Sequence, residues 1–181
     1  MMSVLFFAAM LFLDLVLMVL FRVDHSAIAL SFIPGAALVY VAFETMEEPL
    51  NKAVFWAFFT GFLFDLLLFN ALFDYAFSMV MVVIVVRIWS KHLSESIIER
   101  IMLGLLLVFV REMSLYGLAL IQGFTTMNVQ TWLTMRVFLT ILGNIPVIIM
   151  VLMWLDFQDG FDAKQQRKQR RKERVFWYRY K

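Results

Sequence analysis

The sequence predicts an all-α integral membrane protein, a bundle of six transmembrane helices. Of the 181 residues, 63% are hydrophobic, and the mean hydropathy is +0.84. Soluble domains are nearer to about 45–50% apolar, so this excess indicates that the bilayer is the solvent of the chain. The apolar residues also form unbroken runs, whereas the strands of a membrane barrel alternate apolar and polar residues. Because backbone groups inside a bilayer must be paired within the protein, these runs favour helices.

Six apolar runs approach or reach the length of a membrane-crossing helix, which is about 17–25 residues. In chain order the predicted spans are 4–21, 27–43, 53–69, 72–86, 97–121 and 133–155. The first span lacks a charged leading region and a small-x-small cleavage site, so we expect it to be retained rather than removed as a signal peptide. Asn70 and Asp74 are the only polar residues where the third span meets the fourth, which predicts a very tight turn. Residues 1–155 are therefore expected to form one membrane domain, followed by a tail over 156–181.

The distribution of Lys and Arg predicts the orientation of the bundle. The tail holds nine of the 16 Lys and Arg residues against four acidic residues, and such an excess is typical of the cytoplasmic side. Six spans then place the N-terminus on the same side. The loop 87–96, expected inside, contains Arg87 and Lys91, whereas the loop 122–132, expected outside, contains neither Lys nor Arg. We therefore predict a multi-pass membrane protein with both termini in the cytoplasm.

The basic tail has two interpretations. Its candidate functional residues are Lys164, Arg167, Lys168, Arg170, Arg171, Lys172 and Arg174. They can fix the topology and contact anionic lipid, at about 1 kcal/mol for each cation near the surface. They can also form a docking segment for a cytoplasmic partner, and a nucleic-acid role is not expected for so short a tethered strip.

Charged residues also lie inside the predicted spans. Those well inside the spans are Asp14, Asp65, Arg111, Glu112 and Arg136. A charge at the bilayer centre costs at least about 2.5–3.5 kcal/mol on insertion scales, so such side chains usually pair or face protein. From their depths we expect an outer layer that pairs Asp65 with Arg136, and a middle layer of Asp14, Arg111, Glu112 and Asn144. Three roles stay open: ties between helices, a ligand or ion site, or contact with a partner chain. Arg136 can also extend to the interface.

Small residues accompany these polar positions. Gly61 precedes Asp65 by four residues, so both lie on one helix face. A glycine there lets a neighbouring helix approach closely, which helps to bury the carboxylate. The sixth span has a similar stripe, formed by Arg136, Thr140, Gly143, Asn144 and Val147. Both patterns indicate helix packing rather than chemistry.

The sequence contains little that catalysis or metal binding would use. It has no Cys, which excludes disulfides, thiolate metal sites and thiol chemistry. His25 and His92 lie far apart in the chain. The stretch "DGFDAK" (159–164) partly matches the D-G-x-x-A-R opening of CDP-alcohol phosphotransferases, but Lys164 replaces the Arg and the rest of that motif is missing. We therefore predict a non-enzymatic protein without cofactor or metal.

Several of these motifs together resemble the rod shape-determining protein MreD family. The third span, "AFFTGFLFDLLLFNALFDYAF", has the family's Gly, Asp and short turn, here Gly61 and Asp65. The fifth span, "VREMSLYGLALIQG", offers Glu112 and Tyr116 as an acid followed by an aromatic residue. The last span has Arg136 and Asn144 and is followed by the basic end "KQQRKQRRKER". The resemblance covers nearly the whole chain, with one departure: many members have a Gly just after the third-to-fourth turn, where this chain has Phe73 and Asp74.

The resemblance implies a non-enzymatic component of the bacterial cell-elongation machinery. Family members scaffold cell-wall synthesis and cell shape through MreC, and indirectly through MreB, RodA and a class B penicillin-binding protein. Their fold is thought to be similar to the substrate-binding subunits of energy-coupling-factor vitamin transporters. That similarity leaves a second function open, a vitamin-binding transporter subunit. Polar and aromatic residues of the outer loop would then form the site; they are Gln122, Asn128, Gln130 and Trp132.

Overall fold

The computed structural model describes residues 4–21, 32–68, 73–90 and 96–179, with side chains described up to residue 161. Every regular element in these ranges is helical. The helices are α1 (Val4–Leu20), α2 (Ala36–Glu44), α3 (Leu50–Leu68), α4 (Asp74–Ser90), α5 (Ile97–Ile121), α6 (Val129–Trp132) and α7 (Phe138–Arg179). A π-helical turn, Leu133–Val137, joins α6 to α7. The path from α6 through α7 is thus continuous, so the described ranges contain six helical segments, of which α2 is the shortest.

Three helical segments are long and apolar enough to cross a membrane. They are Leu50–Leu67, Ile97–Ile121 and Val129–Phe161, and the apolar helix Val4–Leu20 is slightly shorter. Large apolar side chains also lie on the outside of the bundle, such as Leu5, Val19 and Ile121, which are 76%, 78% and 84% exposed. An apolar surface of this kind is what a helix bundle presents to lipid. The predicted all-α fold with transmembrane character is therefore confirmed at this level.

The short helix α2 lies at the centre of the bundle. It contacts α1, α3, α4, α5 and α7, and its residues 36–42 are buried. Nine residues span only about 14 Å at 1.5 Å per residue, roughly half of a hydrocarbon core of about 30 Å. The surrounding helices follow one another as neighbours, since α3 packs on α4, α4 on α5, and α5 on α7. The polar residues described below lie where these helices meet α2.

Two helix boundaries differ clearly from the predicted spans, the start of α2 and the end of α7. Residues 32–35 are extended, so α2 begins at Ala36 rather than inside a helix that started at residue 27. Pro34 and Gly35 account for this, because proline disfavours helix in the residue before it and glycine weakens helix. The predicted start at residue 27 and the turn around Asn70 fall outside the described residues. At the other end, α7 continues to Arg179, well past the predicted end at residue 155. The basic tail is thus a helical extension, whose side chains lie outside the described part.

The described helix ends show ordinary capping chemistry. The α5 helix ends before Gly123, whose φ of +73° belongs to the left-handed region that favours glycine. The N–H of Phe124 donates to the carbonyl of Ala119 at 2.9 Å, which closes the final turn. The side chain of Asn128 accepts a hydrogen bond from the N–H of Gln130 at the start of α6. The connection between α5 and α6 is therefore fixed by its own backbone.

Candidate functional site: a buried polar core

The carboxylate of Asp65 caps the first turn of α4. It accepts hydrogen bonds from the backbone N–H groups of Tyr75 at 2.9 Å and Ala76 at 3.1 Å, one to each oxygen. The first N–H groups of a helix have no partner within the helix. They also form the positive end of its dipole, which attracts an anion. A carboxylate that is only 1% exposed thereby obtains two donors, and no cationic side chain among the described residues pairs with it.

Gly61 permits the approach of α4 to α3 at the same place. A Cβ atom built on Gly61 would lie 2.4 Å from the Cα of Ala76 and 2.6 Å from the carbonyl oxygen of Tyr75. Real Cβ atoms essentially never come so close to another heavy atom. Gly61 and Asp65 therefore hold the same two residues of α4, one through backbone contact and the other through hydrogen bonds. This explains why a glycine and an aspartate occur one turn apart in an apolar helix.

Asp14 makes the same kind of contact with α2. Its two oxygens accept hydrogen bonds from the N–H groups of Ala36 and Ala37, both at 2.8 Å. Asp14 is 1% exposed and lies in the apolar helix α1. The hairpins α1–α2 and α3–α4 thus share one device, in which an aspartate of the first helix caps the second. The sequence analysis did not find this repetition, because the loops between each aspartate and its helix differ in length.

The extended segment before α2 is held by side chains of α5 and α7. The guanidinium of Arg111 donates to the carbonyl of Pro34 at 2.7 Å and to that of Ile33 at 3.0 Å. The amide of Asn144 donates to the same Ile33 carbonyl at 2.8 Å. The N–H of Ile33 donates to the hydroxyl of Thr140 at 3.4 Å. Non-helical backbone at membrane depth requires such partners, because lipid offers none.

Glu112 joins the two arginines of this region. One carboxylate oxygen lies 3.0 Å from Nη2 of Arg111, and the other accepts a hydrogen bond from Nε of Arg136 at 3.0 Å. The side chains of Glu112 and Arg111 are 0% and 2% exposed, and that of Arg136 is 12% exposed. Removing one member of such a buried ion pair leaves an uncompensated charge and is strongly destabilising. We call Asp14, Arg111, Glu112, Arg136 and Asn144 the polar core.

The predicted pairing of Asp65 with Arg136 was wrong. Asp65 is bound to the start of α4, and Arg136 is bound to Glu112 of α5. The similar depth that the sequence predicts did not bring the two side chains together, because each side chain is bound to an adjacent helix. The four residues of the predicted middle layer do lie around one feature, the extended segment and the first turn of α2. Arg136 belongs with them rather than with Asp65.

Sequence reasoning missed Ser78, and it named Tyr116 and Trp132 without the contacts that they make. The hydroxyl of Ser78 donates to the carbonyl of Arg111 at 3.2 Å, which links α4 to the polar core. The hydroxyl of Tyr116 donates to the carbonyl of Met127 at 2.7 Å, and its ring stacks on Trp132 with centroids 4.4 Å apart. The one signal in the sequence that marks the held segment is the adjacent pair Pro34–Gly35, since such pairs punctuate helices.

Residues of the outer loop, predicted for a vitamin site, mostly serve the fold. Gln122 donates to the carboxylate of Asp74 at 2.8 Å, Asn128 caps α6, and Trp132 is buried against Tyr116. Gln130 contributes backbone atoms to the same turn. In the part of the chain that the structure describes, no group of three or more His, Cys, Asp or Glu side chains could hold a metal ion.

The described residues also line two cavities. An apolar groove of about 580 Å³ runs between α1 and α7. Its lining is Leu13, Leu17, Phe21, Phe32, Leu139, Gly143, Pro146, Val147 and Met150. A polar cleft of about 360 Å³ lies at the end of the bundle where α2 stops. It includes Glu44, Glu47 and Asp159 together with Arg100, which forms an ion pair with Asp156 at 3.0 Å.

Comparison with known proteins adds no relative. No family model matches the chain, and neither a curated protein nor a solved structure matches it.

Proposed function

We propose that this chain is a non-enzymatic membrane component of the bacterial cell-elongation complex, similar to the MreD family. In this role it scaffolds cell-wall synthesis and cell shape through contacts with MreC, and indirectly with MreB, RodA and a class B penicillin-binding protein. We also propose that it lies in the bacterial plasma membrane with both termini in the cytoplasm, and that its topology is similar to the substrate-binding subunits of energy-coupling-factor transporters.

One observation supports this proposal above the others. The residues that carry the sequence resemblance are the residues that tie the helices together. They are Gly61, Asp65, Glu112, Tyr116, Arg136 and Asn144, and each makes a contact described above. A motif set that maintains a shape, rather than one that lines a reactive pocket, is what a scaffold needs. Fold alone would not separate a scaffold from a carrier, because one fold supports many functions.

The polar core also supports a structural role over a carrier role. Asp14, Arg111 and Glu112 are each at most 2% exposed, and their hydrogen-bonding groups reach backbone or one another. A carrier would need polar groups that exchange partners with its cargo. No contact among the described residues specifically supports the alternative, a vitamin-binding subunit. The capture experiment below distinguishes the two functions.

Capture from native membranes tests the proposal. The tagged full chain is isolated from membranes of a rod-shaped bacterium in mild detergent, and co-purifying proteins and small molecules are identified by mass spectrometry. We expect MreC and the wall-synthesis pair of RodA and penicillin-binding protein. Recovery of ATPase subunits or of a bound vitamin, without those partners, would overturn the scaffold function in favour of a transporter subunit.

Variants make this capture specific. Asp65→Ala removes the cap of α4 and should weaken capture of MreC if the shape of the bundle presents the partner surface. Gly117→Ala is the matched control, because a Cβ atom there would have no heavy atom within 4 Å in the described structure. It should capture partners as the wild type does.

A further inference from the structure

Arg136 has hydrogen-bonding capacity beyond its ion pair. Its Nε donates to Glu112 at 3.0 Å. Among the described residues, its two terminal nitrogens donate to no atom. Neither terminal nitrogen is a buried polar atom that lacks a partner, and the side chain of Arg136 is 12% exposed. The end of the guanidinium therefore reaches the edge of the bundle with a two-pronged set of donors.

The orientation of this guanidinium is fixed from behind. Glu112 is fully buried, and its other oxygen is held by Arg111 at 3.0 Å. Arg136 lies in the π-helical turn Leu133–Val137, a geometry that is rare and is often found at functional sites. A guanidinium group with a fixed orientation can donate bidentate hydrogen bonds to two oxygens of one phosphate. The site is thus arranged before any ligand arrives.

The local charge favours an anion. Two guanidinium groups share the single carboxylate of Glu112, so this triad carries a net positive charge. Asp14, the other carboxylate of the polar core, lies on the Arg111 side, where it is bound to two backbone N–H groups, so the positive charge remains at the Arg136 end. The chain neighbours Leu133, Met135 and Phe138 are 38%, 38% and 65% exposed, which is typical of a surface in contact with lipid. A cation beside such a surface attracts an anionic head group.

We propose that the terminal nitrogens of Arg136 form a binding site for a phosphate group at the α5–α6 end of the bundle. The ligand class is a phosphate ester or free phosphate, held by two charge-assisted hydrogen bonds. Glu112 is the positioning residue, since it fixes the guanidinium and makes no contact with the anion. This site is independent of the proposed role in cell elongation, and its failure would leave that role untouched.

The test uses the full chain in nanodiscs that contain phosphatidylcholine with or without phosphatidylglycerol. The chain is then extracted from the nanodiscs into detergent and washed. The phosphatidylglycerol molecules that stay bound to it are counted by native mass spectrometry. The wash contains 1 M salt, because screening over about 3 Å suppresses lipid contacts of the exposed basic tail but acts less on a partly buried site. Arg136→Gln should lose on the order of tenfold or more in retention, as expected for two charge-assisted hydrogen bonds.

Two variants and one further probe sharpen the result. Arg136→Lys keeps the charge but loses the fork, so it should retain an intermediate amount of lipid. Arg100→Gln removes a guanidinium that is paired with Asp156 outside the polar core and should leave retention unchanged. Inorganic phosphate is then added to the wild type in phosphatidylcholine alone. If phosphate raises the unfolding temperature as much as phosphatidylglycerol does, the ligand is free phosphate. If phosphatidylglycerol raises it and phosphate does not, the ligand is a lipid head group.

Unchanged retention in folded Arg136→Gln would overturn the proposal and leave Arg136 a structural residue that extends to the interface. If that variant does not fold, the wild type decides. An unfolding temperature that neither phosphatidylglycerol nor phosphate raises would overturn the proposal equally.

Discussion

At the scale of single residues, Gly61 and Asp65 show how an apolar helix accommodates a carboxylate. Asp65 is bound by two N–H groups of α4, and it can reach them because Gly61 lets the backbone of Ala76 come against α3. The glycine sets the distance and the aspartate satisfies the donors. Asp65 would not compensate for a substitution of Gly61, and Gly61 would not compensate for a substitution of Asp65.

Gly61→Ala should therefore destabilise the bundle. The added methyl would lie 2.4 Å from the Cα of Ala76, which is backbone and cannot rotate away. Overpacking of this kind typically costs about 1–3 kcal/mol. Gly117→Ala is the control, with an open site inside α5, and should be neutral or stabilising by up to about 1 kcal/mol. Thermal unfolding in detergent measures both, and equal unfolding temperatures for the two variants would contradict the contact.

Phe73 has a backbone conformation that suits glycine. Its φ is +73°, immediately before α4 begins at Asp74. Many members of the MreD family, which the sequence resembles, have a glycine at this turn, where the chain has Phe73 and Asp74. The left-handed conformation costs a residue with a side chain roughly 1–2 kcal/mol.

Phe73→Gly should consequently be more stable than Phe73→Ala by about 1 kcal/mol, because only glycine relieves the backbone strain. Both variants lose the ring contacts with Phe62 and Phe58, at 6.0 and 6.3 Å between centroids, so their difference isolates the backbone effect. Unfolding free energies of the two variants give the answer. A more stable alanine variant would show that residue 73 does not adopt this conformation.

A double-mutant cycle distinguishes the pairing that forms from the pairing that does not. Glu112→Gln and Arg136→Gln should be strongly coupled, because the two side chains are 3.0 Å apart. Asp65→Asn and Arg136→Gln should be additive within about 0.3–0.5 kcal/mol, as expected for sites without a shared partner. Unfolding free energies of the single and double variants measure both couplings. A larger coupling between residues 65 and 136 would restore the pairing that the sequence predicted.

At the scale of elements, part of the site could be predicted from the sequence. The shared face of Gly61 and Asp65 follows from helix periodicity, and the charged residues stand out in apolar runs. The partners of Asp14 and Asp65 could not be predicted, because they are backbone N–H groups at helix starts and any residue supplies them. The apolar run predicts one helix over 27–43, although the pair Pro34–Gly35 indicates a break within it. A reading that ended the extended segment at Gly35 would have placed the start of α2 correctly.

The half-length helix α2 depends on its neighbours more than the other helices do. Its first turn is held by Asp14, and the segment before it by Arg111 and Asn144. A nine-residue helix is marginal by itself. Its position therefore comes from tertiary contacts, and α1, α5 and α7 share in it.

At the scale of the whole molecule, the chain divides into the bundle and the helical extension that carries the basic tail. Truncation after Asp162 removes the basic residues and leaves the polar core intact. If the tail is a docking segment, the truncated chain should insert and fold as before but capture no cytoplasmic partner. Membrane fractionation and the native capture experiment measure the two properties. A truncated chain that captures all partners would restrict the tail to topology and lipid contact.

The buried aspartates Asp14 and Asp65 hold the starts of the helices that follow them. Amide-resolved hydrogen–deuterium exchange on the wild type, Asp14→Ala and Asp65→Ala tests it most directly. Asp14→Ala should speed exchange most at Ala36 and Ala37, and Asp65→Ala most at Tyr75 and Ala76, because each variant frees that pair of donors. Wild-type exchange at these amides in both variants would contradict the claim and return the carboxylates to a ligand or partner site.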